Sequence, residues 1–192
     1  GMGALILFGA VQATMFVGAL VGGERPGVAR WLGGAAALGG LAVLAAPGAA
    51  APDPLAAGLM TASGVAWGLF SLRGRRAIDP MATMAAAFLV AAPMGFALWA
   101  ALGWGEAVSE RGVALAVASG ALASGGGYAL WYAALPRLEA TVAAVAQLTV
   151  PLIALGGGIV FLGEAATARF GVAAALILGG VGLATLIGRR RS

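Results

Sequence analysis

GALILFGAVQATMFVGALVG, residues 3–22, runs for twenty residues with a single strongly polar side chain, Gln12, before the stretch Gly23-Glu24-Arg25-Pro26 stops it. A helix needs about 20 mostly apolar residues to cross a hydrocarbon core of about 30 Å. This run is therefore read as a transmembrane helix. Six more follow at approximately 28–47, 55–72, 81–102, 112–134, 140–162 and 168–188. Pro, Gly or charged residues separate them at Pro52-Asp53-Pro54, Arg73 to Pro80, Gly105 to Arg111, Pro136-Arg137 and Glu164 to Thr167. The chain begins without the basic region and small-residue cleavage site of a signal peptide, so the first run is expected to remain as a span.

The rest of the 192 residues agrees. Hydrophobic residues make up 61% and charged residues only 9%, against about 25% charged in an ordinary soluble domain. A chain so poor in charge cannot build a water-facing surface. The expected fold class is an all-α integral membrane protein of seven transmembrane helices, packed closely through its 33 glycines.

The net charge of +4 does not point to nucleic acid. The arginines sit at span ends in groups of one to three and form no stripe that would track phosphates. When loops are assigned alternately to two sides, nine arginines (25, 30, 73, 75, 76, 137, 189, 190, 191) fall on one side and two (111, 169) on the other. The positive-inside rule makes the first side cytoplasmic. The C-terminus is then expected inside, in a multi-pass protein of a bacterial inner membrane. Arg73, Arg75, Arg76 and Arg189 to Arg191 suit anionic lipid head groups too, although anchoring alone accounts for them.

Cysteine and histidine are absent from the sequence. Thiolate and imidazole metal sites, Ser-His-Asp triads and Cys-His dyads have no residues to form them. No acid lies well inside a span, so an intramembrane acid pair is lacking as well. The expectation is no enzyme, no metal and no cofactor, with the lipid bilayer and a small molecule as partners; a homo-oligomer stays open.

Displacing the chain by 140 positions lays Gly18 on Gly158, Gly23-Glu24 on Gly163-Glu164, Leu38 on Leu178 and Gly39-Gly40 on Gly179-Gly180. Both copies read as span, Gly-Glu, short loop, then a span ending near Gly-Gly. The two Gly-Glu loops are an odd number of spans apart and so face opposite sides. That is an inverted repeat, a common construction of secondary transporters. Residues 1–47 are expected to be the last two helices of one five-helix unit and 48–192 a complete second unit with a short tail. On this reading three earlier helices of a ten-helix protein are missing.

The stretch from Gly3 to Met15 leading into Gly23-Glu24-Arg25-Pro26, the stretch Tyr128-Ala-Leu-Trp-Tyr-Ala-Ala-Leu-Pro-Arg137, and Gln147-Leu-Thr-Val-Pro151 with Leu162-Gly-Glu164 resemble the drug/metabolite transporter superfamily in its EamA-like branch. The resemblance implies ten helices, both termini in the cytoplasm, and export or exchange of small metabolites or drugs by alternating access. The alternative reading is a non-transporting membrane subunit or scaffold.

Candidate cavity residues are the polar and aromatic side chains within spans. Gln12 lies midway along the first span, where an unpartnered amide costs several kcal/mol; it reads equally as cavity lining or as glue between helices. Thr14 is expected to bond its own helix backbone. Gln147 and Pro151 are one turn apart, and Pro151 frees the Gln147 carbonyl. With Gly156-Gly157-Gly158 this reads either as a discontinuous helix exposing backbone to substrate or as a simple kink. Ser124, Tyr128 and Tyr132 share one face of the fifth span. Tyr128 suits a cavity, whereas Tyr132 and Trp131 lie near the span end, where interfacial aromatics are usual; Trp31 and Trp104 read as interfacial too. Ser63 and Trp67 are weaker candidates. Glu24 and Glu164 invite a proton-coupling role, but their helix-end positions favour a structural one, with Glu164 stabilising a helix N-terminus.

Overall fold

The computed structural model describes residues 2–45, 53–102, 109–163 and 165–187, and every regular element among them is helical. The helices are α1 (Met2–Val21), α2 (Val28–Ala45), α3 (Pro54–Arg76), α4 (Pro80–Leu102), α5 (Glu110–Ala118), α6 (Gly127–Ala134), α7 (Ala140–Gln147), α8 (Thr149–Leu162) and α9 (Ala168–Gly182). A π-helical stretch, Ser119–Gly126, joins α5 to α6, and a second, Leu183–Ile187, continues α9. Taken as continuous spans, seven of these stretches are long and apolar enough to cross a membrane. The seven-span expectation therefore holds.

The third and fourth spans begin where the sequence placed their starts. Asp53 Oδ1 accepts the amides of Leu55 and Ala56, and Asp79 Oδ1 accepts that of Ala82. Each acid is followed by a proline in the first helical position, where the missing N–H is no loss. One boundary moves. The third span does not stop at residue 72 but continues to Arg76, placing Arg73, Arg75 and Arg76 in its last turn. Arginine is a good helix former, and positive charge suits a helix C-terminus; the end of an apolar run was not the end of its helix.

The residues fall into two compact units, one of 1–72 with 138–192 and the other of 73–137. In the first, α2 makes its most extensive contact with α9. The crossing is close because glycines meet. A Cβ on Gly33 would run into the Gly180 carbonyl, and one on Gly180 into the Gly33 carbonyl; Gly40 lies equally tight against Ala173 and Ile177. Since residue 33 meets 180 while 40 meets 173, the helices run antiparallel. The pairing is also reciprocal: Gly33 and Gly40 each precede their displaced counterparts, Ala173 and Gly180, by the 140 positions of the sequence repeat. Such exchange of partners is the mark of a two-fold relation. Gly23 (φ 86°) and Gly163 (φ 69°), also 140 apart, are the two left-handed glycines among the described residues. Both stand at a helix C-terminus, where glycine takes this conformation without Cβ strain.

On the other side of this unit, α3 lays Gly64 against Leu7 and Ala10 of α1, and Gly68 against Val11 and Thr14. Phe8 and Trp67 rings meet alongside, with centroids 5.6 Å apart. In the second unit α4 packs on α6, with Phe88 edge-on to Tyr128 at 5.3 Å. Large residues such as Leu89, Val90, Phe96, Leu122 and Leu130 stay exposed, which is the surface lipid requires of a membrane helix.

Candidate substrate cavity and the charged rim

Gln12 and Gln147 are the two amide side chains buried within the spans of the first unit. Both are more than nine-tenths buried, and the side-chain carbonyl of each has no hydrogen-bond partner. Gln147 Nε2 approaches the Met15 sulfur at 3.1 Å, a weak acceptor. Gln12 lines a cavity of about 280 Å³ with Phe16, Trp31, Gly34 and Leu38, and its amide nitrogen sits directly over the Gly34 Cα face. A larger, almost wholly apolar cavity of about 430 Å³ lies between Ala4 of α1, Leu41, Leu44 and Ala45 of α2, and Pro151, Leu155, Gly158 and Leu162 of α8.

Between these cavities the sixth span is interrupted. Helix α7 ends at Gln147 and α8 begins at Thr149, leaving Leu148 as a one-residue break whose backbone stays right-handed (φ −68°, ψ −11°). The Leu148 amide turns back to the Val145 carbonyl, and Thr149 Oγ1 bonds the Ala146 carbonyl at 2.8 Å. This is a kink and not an unwound segment: α8 runs unbroken through Gly156, Gly157 and Gly158 to Leu162. Proline accounts for its place, because Pro151 has no N–H for the Gln147 carbonyl. Thr14 bonds the Ala10 carbonyl as expected.

The remaining candidates are scattered. Trp67 is half-buried on Phe8, and Ser63 lies on an exposed face of α3. In the second unit Ser124 falls within the π-helical stretch, half-buried, and Tyr128 stands between Phe88 and Tyr132. Tyr132 corrects an expectation: it is no interfacial ring but completely buried, its edge filling the space left by Gly74. The small residue opposite leaves room for a ring that the span-end position alone would have assigned to the interface.

At one end of the first unit is a feature the sequence reading missed. Glu24 Oε1 accepts the Ala140 amide at 2.9 Å, while Oε2 lies 3.4 Å from the Thr141 amide and 3.5 Å from its hydroxyl. A carboxylate from the α1–α2 loop thus covers the positive N-terminus of α7. Glu139, which holds the N-cap position of α7, makes no cap bond with its own side chain. It pairs instead with Arg30, both terminal guanidinium nitrogens meeting both carboxylate oxygens. Arg30 is buried, so this arginine, counted among the topology anchors, is a paired interior group. Its position three residues inside an apolar span was the available signal.

Residues 54–186 match the EamA-like transporter family. The chain belongs to that family. An EamA-like chain of seven spans is also 47% identical over 183 residues to an uncharacterized protein of Pseudomonas aeruginosa, a match covering 95% of this chain and 64% of that protein's length. A solved crystal structure, described only as that of a protein, aligns with a TM-score of 0.85 over 99% of this chain and 69% of its own, at 24% identity. That likeness is one of fold alone. The EamA-like chain is thus an all-helical, multi-pass membrane protein of a transporter family. Glu164, the counterpart of Glu24, lies outside the described residues, as do Trp104 and the terminal arginines; the helix it was expected to stabilise, α9, is capped by Thr167, whose hydroxyl accepts the Phe170 amide at 3.2 Å.

Proposed function

We propose that this chain is the larger part of a carrier that exports a small, uncharged or amphipathic organic molecule across a bacterial inner membrane by alternating access, with its C-terminus in the cytoplasm. The observation that carries the reading is the pair of amides, Gln12 and Gln147, held more than nine-tenths buried with idle carbonyls among apolar helices. A buried polar group without a partner costs about 1–3 kcal/mol. Helices that needed only to pack have no use for two of them, whereas a solute with hydroxyl or amine donors would satisfy both. The adjoining kink at Leu148 and Pro151 supplies a point at which the sixth span can bend. Within this reading residues 1–47 complete one five-helix repeat and 48–192 form the next, and Trp67 beside Phe8 adds an aromatic ring to the first unit.

The test is flux. The full-length parent in proteoliposomes should exchange labelled small solutes from a metabolite panel. Gln12→Met and Gln147→Met, which keep side-chain volume and remove the amide, should each lower that exchange about tenfold or more, as loss of one or two solute hydrogen bonds implies. Wild-type rates in both variants would reject these amides as solute ligands.

A further inference from the structure

The two electrostatic contacts at the Glu24 end join the same two pieces of chain from opposite sides. The α1–α2 hairpin contributes an acid, Glu24, and a base, Arg30. The start of α7 contributes helix amides and the Thr141 hydroxyl to the acid, and Glu139 to the base. We propose that Glu24, Arg30, Glu139 and Thr141 form a gate that closes this end of the path and parts when the hairpin moves away from α7. The proposal rests on the carrier reading above.

Three features favour a gate over a permanent staple. Directly beneath the rim the seal is made by small side chains. Ala140, Ala143 and Ala144 of α7 are buried, and Val145 reaches Gly34 of α2. Separating such surfaces exposes little apolar area, so the closed state depends on the charged contacts more than on packing. Second, the hairpin stands apart from the other half of the sixth span at its far end, where the cavity of about 430 Å³ separates Ala4, Leu44 and Ala45 from Pro151 and Leu162 of α8. Contact at one end with separation at the other is the shape of one state of an alternating pair. Third, the break at Leu148 and Pro151 lies between the rim and that cavity, so α7 can tilt without carrying α8 with it. The pair is also incompletely satisfied, since Arg30 Nε has no acceptor and Glu139 is 44% exposed at its side chain. Water reaches the carboxylate, which lowers the barrier to exchanging partners.

The sequence contains no cysteine, so one thiol reports alone. In the full-length parent, Ala144→Cys places it one turn below the rim, and Arg25→Cys on the exposed loop identifies the face to which the Glu24 end belongs. Labelling is by membrane-impermeant maleimide in right-side-out and inverted vesicles. Ala144→Cys should label slowly, and from the Arg25 face. Adding Arg30→Gln or Glu24→Gln should raise that rate about tenfold from the same face, the shift that losing about 1.4 kcal/mol of closed-state preference produces. The exchanged pair Arg30→Glu with Glu139→Arg should return it toward the slow value. A rate that neither Gln variant changes overturns the gate. So does a rise that is equal from both faces, because it reports a loosened protein. A labelling response without solute flux in the parent would sink the carrier reading and leave the moving rim in place; flux without a labelling response would sink the gate alone.

Discussion

Gln147 shows how much one side chain can disclose. Its Nε2 has only the Met15 sulfur at 3.1 Å and its Oε1 has nothing, yet the residue is 4% exposed. On the carrier reading that disadvantage is kept for a solute, and sites of function are where such a conflict is expected. Gln147→Met should therefore raise thermal stability in detergent, by about 1–3 kcal/mol, because it removes an unpaired buried carbonyl and adds a flexible apolar chain beside Met15. A lower melting temperature would mean the amide has a structural partner after all. Reading the sequence located Gln12 and Gln147 because an amide inside an apolar run is conspicuous. The same logic applied to Arg30 points to a partner, but not to which one. Glu139 is 109 positions away, Ala140 lies 116 positions from Glu24, and the sequence has no local signal for either pairing.

Among the elements, the seven spans were legible to within a few residues because the bilayer sets both their length and their composition. What escaped was departure from regular helix. The extra turn of α3 carries arginines that no apolar count would include, and the π-helical stretch Ser119–Gly126 shows only as a run of small residues leading to Gly125, Gly126 and Gly127. The α2–α9 crossing, by contrast, rests on glycines whose positions can be tested one by one. Gly33→Ala or Gly180→Ala places a methyl against a partner backbone carbonyl that cannot rotate away. Each should destabilise by about 1–3 kcal/mol, the usual range for overpacking. Gly39 sits on the same helix with open space where a Cβ would go. Gly39→Ala should be neutral or stabilising by up to about 1 kcal/mol, since alanine is the better helix former. Unfolding midpoints of the three variants decide it; equal losses at Gly33 and Gly39 would deny the close crossing.

At the scale of the whole molecule, the two-fold relation inside the first unit joins what the sequence and the fold say separately. A displacement of 140 was weak as a match of letters, because glycine and alanine coincide by chance in so small-residued a chain. It gains force from the reciprocal contacts of Gly33, Ala37 and Gly40 with Ala173, Ile177 and Gly180, and from the left-handed glycines at 23 and 163. Chance letter matches would not arrange partners in exchange. A further consequence concerns sidedness. Glu24 meets the start of α7, whereas Leu162, at the end of α8, lines a cavity with Ala4 and Ala45 at the opposite ends of α1 and α2. The loops after Gly23 and Gly163 should then open on opposite faces of the membrane, with the more arginine-rich loop in the cytoplasm. Single cysteines at Arg25 and Ala166, both exposed, should react with impermeant maleimide from opposite sides: Arg25→Cys in inverted vesicles, Ala166→Cys in intact cells. If both thiols react from one side, the spans between them number not five but an even count, the two copies are parallel, and a carrier built on inversion loses its basis. If the sides are opposite but exchanged, the inverted architecture survives and the arginines, Arg30 already withdrawn from their number, do not set orientation in this protein.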